Sequence, residues 1–289
     1  MKIMITAARG NFPTALVPRL AADGHELVLF DLEPMTAPEG STDIQGDIRD
    51  AGLVSHALRG CDAVVHAAAL HETSAGHRNY DDYFSVNVTG LHNVLRGMLL
   101  NQVKAMVFAS CDSVYGDGVR GRLVVDESIP CIPTQFYAHT KLAGEQLCQF
   151  YARKHGFGIA ALRFGRFAPS DWRLAGMGRL NNWLDREDVA LATQLAIGAV
   201  MEDGFGFEPF LVHSATPFTD SDWPQLTAEP EKILEFYYPG SMKLLSDHDL
   251  RVPHVHHQYD ITKAITMLGY DPQHNFEQFL ERLRSSGGR

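Results

Sequence analysis

Apolar residues in the first 163 positions form short runs that alternate with helical spacing. Short apolar runs bounded by turn residues are typical of buried parallel strands. The pattern predicts strands at Ile3–Thr6, Glu26–Asp31, Asp43–Gln45, Ala63–His66, Ala105–Phe108 and Ile159–Leu162. It predicts helices after Gly10, up to Leu58, over Tyr80–Leu100 and over Thr134–His155. Strands that alternate with helices predict an α/β fold with a doubly wound parallel sheet.

The pattern becomes less regular from about residue 164. It predicts helices at Arg186–Met201, within Phe218–Tyr238, at Ile261–Leu268 and at Phe276–Leu283. We therefore predict two parts. Residues 1–163 form a sheet domain, and residues 164–289 form a small substrate lobe that is interleaved with the end of the sheet.

The chain has 289 residues, of which 45% are hydrophobic and 21% charged, as in ordinary globular proteins. Its net charge of −10 and its pI near 5.7 oppose nucleic-acid binding, because nucleic-acid binders present a basic surface. The four cysteines lack a Cys-x-x-Cys spacing, so we expect reduced thiols of a cytoplasmic protein rather than disulfides or a zinc site. No apolar run is long enough to cross a membrane, and no signal peptide is expected.

Tyr137 and Lys141 stand four positions apart in the second long predicted helix, so they share one helix face. A free tyrosine, with a pKa of about 10, is a poor base at neutral pH. A lysine ammonium one turn away favours the phenolate, which can accept a proton from a hydroxyl group. The pair indicates removal of a hydroxyl proton coupled to hydride transfer. Many solvated helix faces carry the same spacing, so this interpretation depends on the surrounding motifs.

The turn after the first predicted strand is a candidate phosphate-binding loop. In sheets of this kind that turn presents backbone N–H groups to a pyrophosphate. Here it keeps Gly10, whereas Ala7 and Pro13 stand where a Gly-x-x-Gly-x-x-Gly pattern has the other two glycines. Asp31 ends the second strand, where an acid can accept both ribose hydroxyls of NAD and repel a 2′-phosphate; the alternative for it is a helix cap or turn residue. Arg9 has the opposite preference, since a guanidinium could pair with that phosphate, but we favour NAD.

Several short motifs occur in a characteristic order along the chain. They are Gly46–Asp50, Asp62–Ala69, Asn87–Gly90, Phe108–Gly116, Asp126–Glu127 followed by Pro130 and Pro133, Tyr137 with Lys141, Asp185–Ala190 and Leu268–Tyr270. Together, over roughly residues 1–270, they resemble the extended short-chain dehydrogenases/reductases of the NAD-dependent epimerase/dehydratase family. The resemblance implies a Rossmann domain that binds NAD in residues 1–163. It also implies a homodimer in which the two long helices form a four-helix bundle.

The resemblance further implies roles for individual residues. Tyr137 would accept the hydroxyl proton, Lys141 would lower the pKa of Tyr137 and hold the nicotinamide ribose, and Cys111 or Ser110 would orient the hydroxyl. The implied cofactor contacts are Ala7, Arg9, Gly10, Asn11, Phe12, Asp31, Asp47, Ile48, Ala67, Ala68, Ala69, Asn87, Ser110, Tyr137 and Lys141. The implied substrate contacts are His71, Ser113, Arg166 and Arg173.

One catalytic position departs from the family pattern. Counted from Val114-Tyr115-Gly116, the place of the usual Ser or Thr is occupied by Cys111, whose thiol is a weak hydrogen-bond donor. Either Cys111 suffices, or Ser110 or Ser113 replaces it, or the role is weakened. Dehydration is not expected, because Ser113 stands where the dehydratases have the second acid of a pair that would begin at Asp112.

The segment between Pro169 and Asp188 is short. Nucleotide-sugar epimerases of the family usually have a longer insertion there, and the short form is similar to uronate dehydrogenases, which act on free sugar acids. Arg166, Arg173 and Arg179 could then hold a carboxylate or phosphate. Solvated surface charge is the alternative for Arg173 and Arg179.

These observations favour an NAD-dependent enzyme that acts on a sugar or sugar-like alcohol by epimerase-type chemistry, through a transient keto intermediate. Net dehydrogenation of a small sugar acid is one alternative, and a non-catalytic NAD(P)-binding redox sensor is another. His254 and His256 lie on one side of an extended segment, but no carboxylate or cysteine completes a set of ligands. We therefore expect no metal.

Overall fold

The computed structural model describes residues 1–36, 38–71, 79–122, 124–167, 171–181 and 183–287. The strands are β1 Lys2–Thr6, β2 Glu26–Asp31, β3 Thr42–Gln45, β4 Ala63–His66, β5 Ala105–Cys111, β6 Val124–Val125, β7 Gly158–Phe164, β8 Arg166–Phe167, β9 Trp183–Leu184, β10 Phe207–Val212 and β11 Gln258–Tyr259. The helices are α1 Pro13–Ala22, α2 Ala51–Ala57, α3 Tyr80–Phe84, α4 Leu91–Leu100, α5 Phe136–His155, α6 Trp172–Gly178, α7 Arg186–Asp203, α8 Trp223–Ala228, α9 Pro230–Tyr237, α10 Ser241–Asp247, α11 Thr262–Leu268 and α12 Phe276–Ser285.

Seven strands form a parallel sheet in the order β10-β7-β5-β4-β1-β2-β3. This order confirms the predicted α/β fold and all six predicted strands. The seventh strand, β10, was missed, because Glu208 and Pro209 interrupt its apolar run. An edge strand tolerates proline, since one side of its backbone is unpaired. The part of the chain beyond residue 164 therefore contributes a strand to the main sheet.

Helices cover both faces of the sheet. One apolar cluster includes residues of α1, α7 and α11, and a second includes residues of α2, α4 and α5. A third and smaller cluster lies beyond the sheet and joins α8, α9, α10 and α12 through Leu226, Leu234, Leu245 and Phe279. No helix within the described ranges is both long and apolar enough to cross a membrane.

The two long predicted helices are present. The first runs from α3 to α4 through a π-helical segment, Ser85–Gly90, which the sequence did not indicate. It begins with a capping box between Asn79 and Asp82. The second is α5, which ends at Gly156 in the left-handed conformation with φ of 69° after three basic residues.

The strand register places the candidate site at the carboxyl edge of the sheet. The last residues of β5, β7 and β10 are in register, so the loops that follow them meet at one edge. The strand order reverses between β4 and β1, which is where ligands bind in open parallel sheets. Ala168 and Pro169, which close the stretch predicted after the sixth strand, lie outside the described residues.

Candidate active site

Tyr137 and Lys141 lie in the first turns of α5, and both are buried. The Lys141 Nζ donates to the backbone carbonyl of Ala109 at 2.8 Å, and it lies 5.9 Å from the centroid of the Tyr137 ring. This bond fixes the ammonium at the carboxyl end of β5. Burial lowers the pKa of Lys141 to about 8, so the group still carries its proton at neutral pH. The pair therefore places a positive charge beside a tyrosine, as the spacing predicted.

Cys111 and Ser110 end β5 on opposite sides, because successive side chains of a strand alternate. Cys111 belongs to the same apolar cluster as Tyr137. Burial raises the pKa of Cys111 to about 12, and the charge of Asp112 contributes to the same shift. The thiol therefore stays protonated. The Ser110 hydroxyl instead donates to Glu145 at 2.6 Å. Its one proton is therefore engaged, which counts against the alternative that Ser110 orients a substrate hydroxyl.

A buried ion pair between Arg163 and Glu145 lies behind these residues, and sequence reasoning missed it. Arg163 on β7 donates to both carboxylate oxygens of Glu145 on α5, at 2.7 and 3.0 Å, and to the Tyr115 hydroxyl at 2.8 Å. Burial lowers the pKa of Arg163, but the bonds to Glu145 outweigh it and the net shift is upward. Two signals were available. An arginine interrupts the apolar run of β7, and Glu145 lies one turn beyond Lys141.

The loop after β1 has the backbone geometry of a phosphate-binding turn. Ala7 adopts a left-handed conformation with φ of 50°, which normally favours glycine. The Gly10 N–H donates to the Ala7 carbonyl at 2.8 Å, and a Cβ at Gly10 would lie 2.9 Å from that oxygen. Phe12 precedes α1 without a side-chain cap, and Pro13 starts the helix. The backbone N–H groups of Asn11 and Phe12, directly before the helix start, could hold a pyrophosphate.

Asp31 is held at the end of β2 by two backbone donors. Its carboxylate accepts from Arg9 N at 3.0 Å and from Glu33 N at 3.1 Å. The Arg9 guanidinium bonds to the Pro34 carbonyl at 3.3 Å, so it lies along the same side as Asp31. An acid in this place could accept the ribose hydroxyls of NAD. The left-handed turn, the uncapped helix start and this acid fit a dinucleotide.

The remaining predicted cofactor residues frame this loop. The Thr6 hydroxyl accepts from Ala67 N and Ala68 N at 3.0 Å each, which ties the chain after β4, including Ala69, to the first strand. Asp47 accepts from Arg49 Nε at 3.0 Å, and this bond lowers the pKa of Asp47. Ile48 is buried in the second apolar cluster.

Asn87 lies in the π-helical segment, and both hydrogens of its amide are engaged. Its Oδ1 accepts from Leu70 N at 2.7 Å, and its Nδ2 donates to Leu70 O at 3.1 Å and to the Thr140 hydroxyl at 2.9 Å. Asn87 thus joins the chain after β4 to α5.

The predicted substrate residues His71, Ser113 and Arg166 each have different contacts. The His71 ring lies 4.6 Å from the Tyr137 ring, edge to face. Ser113 donates to Asp112 at 3.4 Å. Arg166 follows β7, is exposed and stacks on Trp183 at 5.4 Å.

The two other arginines, Arg173 and Arg179, differ in whether the guanidinium group is available to bind a substrate anion. Arg173 is exposed and lies 5.8 Å from the Trp172 ring. Arg179 is engaged, because it pairs with Asp185 at 2.9 Å and contacts the Asn275 carbonyl. The pairing of its guanidinium within the protein counts against the interpretation that Arg179 holds a substrate anion.

Comparison with known proteins gives matches over most of the sheet domain. Residues 3–170 match the model of the NAD dependent epimerase/dehydratase family. The chain is 31% identical to the L-arabinose 1-dehydrogenase (NAD(P)(+)) of Haloferax volcanii over 183 residues, which are 59% of this chain and 68% of that protein. It is 30% identical to a UDP-glucose 4-epimerase of Halalkalibacterium halodurans over 59% of this chain and 52% of that protein. A mutated uronate dehydrogenase shares the fold with a TM-score of 0.71 and 22% identity, over 100% of this chain and 87% of that one.

Proposed function

Because the chain belongs to the NAD-dependent epimerase/dehydratase family, we propose that it is an enzyme that oxidises a hydroxyl group of a small sugar or sugar acid with NAD. The single observation that carries this proposal is the buried Tyr137–Lys141 pair, with the lysine anchored on the end of β5. Relatives of two kinds support the substrate class, since one is a sugar dehydrogenase and another a sugar-nucleotide epimerase.

Tyr137 is the proposed general base. The Lys141 ammonium lowers the free energy of the phenolate, so that the tyrosine can take the proton of the substrate hydroxyl near neutral pH. NAD, when bound, would accept the hydride from the carbon atom that bears this hydroxyl group. Cys111 lies on the Tyr137 side of β5 and would orient the hydroxyl as a weak donor.

We propose that residues 1–163 hold the cofactor and that residues 164–289 complete the substrate site. Backbone N–H groups of Asn11 and Phe12, directly before α1, would hold the pyrophosphate, and Asp31 would hold the adenine ribose. Asp31 would repel a 2′-phosphate, whereas Arg9 would attract one. NAD is therefore the preferred cofactor as long as the acid dominates.

A free guanidinium favours net oxidation of an acidic sugar. Arg166 forms no ion pair within the described ranges, and it lies directly beyond β7 at the carboxyl edge. Among the residues that the structure describes between β8 and α7, the helix is the short α6, and so short a segment leaves little chain to enclose a nucleotide. A carboxylate on the substrate would pair with Arg166, with Arg173 nearby along the chain. Epimerase-type chemistry, the sequence-based expectation, is the second candidate and is favoured by the epimerase relative.

We also propose a homodimer through α4 and α5. Leu99, Leu100 and Phe150 are exposed on these helices, by 41%, 65% and 52%. An apolar face of this kind is expected to be covered by a partner, and a second copy would form a four-helix bundle. Light scattering at micromolar concentration tests this proposal, and a stable monomer would reject it.

The test of function is a screen of sugars and sugar acids with NAD. Net oxidation releases NADH, which absorbs light, whereas epimerisation gives no NADH and is detected as a second sugar by NMR. Tyr137→Phe, which keeps the ring, should lose roughly 10²–10⁴-fold in turnover with NAD affinity little changed. Full activity of this variant on any substrate would overturn the mechanism. NAD binding without turnover of any sugar would favour the redox-sensor alternative.

A further inference from the structure

His213 and Asp112 lie side by side although their strands are not neighbours. β7 separates β5 from β10, and the last residues of these three strands are in register. The next residues are Asp112, Gly165 and His213. Since Gly165 has no side chain, nothing on the middle strand separates the other two. The Nε2 of His213 lies 3.9 Å from the Oδ2 of Asp112.

The His213 imidazole is buried without a hydrogen-bond partner. Its exposure is 1%, and its ring stacks on Tyr259 with centroids 3.9 Å apart and planes 6° apart. Neither ring nitrogen bonds to any group in the described part of the chain. Burial lowers the pKa of His213 to about 3, so the ring is neutral and offers one donor and one acceptor. A buried polar group in this state raises the free energy of the fold unless something pairs with it.

Asp112 connects this imidazole to the candidate active site. It directly follows Cys111 and is 8% exposed. The separation of 3.9 Å from His213 is too long for a direct hydrogen bond. An oxygen atom that approaches from the carboxyl edge could bond to both groups from one side. A hydroxyl fits these two partners, because it can donate to the carboxylate and accept from Nε2–H.

We infer that His213, together with Asp112, binds a second hydroxyl group of the sugar substrate, distinct from the one that Tyr137 deprotonates. This inference rests on the proposed function. His213 is then a specificity-determining residue. A sugar in which this second hydroxyl has the opposite configuration, or is missing, leaves the buried imidazole unpaired. Sites with an unpaired buried polar group discriminate strongly against such substrates.

His213→Phe tests the inference, since phenylalanine keeps the stacking on Tyr259 and removes both nitrogens. The assay compares the best substrate from the screen with its single-deoxy analogues, one for each hydroxyl. For the full sugar we expect kcat/KM to fall about 10-fold to 100-fold. For one deoxy analogue, kcat/KM of the variant and of the natural enzyme should differ by less than about threefold, because that analogue already lacks the hydroxyl group that His213 would bind. His213→Gln, which places an amide near the Nε2 position, should recover part of the loss.

The control is His274→Phe, at a histidine–aspartate contact elsewhere, where His274 Nδ1 lies 3.0 Å from Asp188. This variant should lower the melting temperature without changing the preference between the sugar and its deoxy analogues. Unchanged affinity for NAD in His213→Phe shows that the sheet edge is intact. Equal losses on the sugar and on every deoxy analogue, or no loss at all, would overturn the inference. If no sugar or sugar acid turns over in the natural enzyme, the proposed function fails first, and the inference fails with it.

Discussion

The carboxylate of Glu145 and the guanidinium of Arg163 join α5 to β7 through two buried hydrogen bonds, of 3.0 and 2.7 Å. Side-chain exposure is 4% and 6%, so water screens this ion pair little. Glu145 lies one turn beyond Lys141 and also accepts from Ser110 beside Cys111. The pair therefore fixes the helix that carries Tyr137 against β7, and the bond from Ser110 ties the same helix to β5, the strand that carries Cys111.

Breaking this ion pair should destabilise the fold. Glu145→Leu leaves a buried, unpaired guanidinium, so we expect the free energy of unfolding to fall by about 3–5 kcal/mol. The double variant Glu145→Leu/Arg163→Met should recover most of that loss, because no buried charge remains. Asp247→Asn, at the exposed pair with Lys243, serves as the control and should change stability by less than about 1 kcal/mol. Urea unfolding measures all three, and additive losses in the double variant would contradict the prediction.

Cys111 can be tested through the strength of its donor. Cys111→Ser places a stronger hydrogen-bond donor at the same position, so we expect kcat/KM to be kept or to rise up to about tenfold. Cys111→Ala removes the donor and should lower it. Because burial raises the pKa of the thiol to about 12, Cys111 in the native enzyme should resist alkylation by iodoacetamide at neutral pH. Unchanged kinetics in Cys111→Ala would show that this side chain does not orient the substrate.

Cofactor preference should follow Asp31. Asp31→Asn removes the negative charge that repels a 2′-phosphate, so we expect the affinity for NADP relative to NAD to rise by about tenfold or more. Adding Arg9→Ala to that variant should reverse part of the gain. Isothermal titration with both cofactors measures the ratios. A native preference for NADP would mean that Arg9 dominates.

The strained residue of the first loop should respond to glycine. Ala7 at φ of 50° costs about 1–2 kcal/mol, while glycine loses about 0.4–1 kcal/mol more entropy on folding. Ala7→Gly should therefore raise the free energy of unfolding by up to about 1.6 kcal/mol. Ala8→Gly is the matched control, because Ala8 is buried and has no positive φ, and it should lower stability. Thermal denaturation compares the two, and equal losses would contradict the strain at Ala7.

A pH dependence should come from His274. Its hydrogen bond to the buried carboxylate of Asp188 raises the pKa of His274 above its ordinary value of 6.5. The stabilisation is therefore fully present below about pH 6.5 and is lost as the pH rises through the raised value. The His274 side chain is 40% exposed, so solvent weakens the effect. The stability that His274→Gln loses should be larger at about pH 6 than at about pH 8.5; a loss independent of pH would refute the linkage.

The regular part of the fold was predictable because apolar periodicity reports burial directly. Six strands and both long helices follow from it. The position of Tyr137 and Lys141 on one helix face follows from their spacing and from helix geometry. Contacts between distant positions were not predictable in this way. Arg163, Glu145 and His213 are polar residues whose neighbours are fixed only by strand order and register, and a local pattern does not contain that information.

The position of β10 has a consequence for how the chain folds during synthesis. All seven residues of β7 are buried in the finished sheet, and Phe207–Val212 covers one of its edges. A nascent chain that has emerged only as far as β7 exposes that edge as an open, apolar template, which favours pairing with other chains. The part of the chain that follows residue 164 should therefore not be exchangeable between proteins as a separate unit, because it supplies β10 to the main sheet. Truncation before β10 should give an aggregating fragment rather than a smaller cofactor-binding protein.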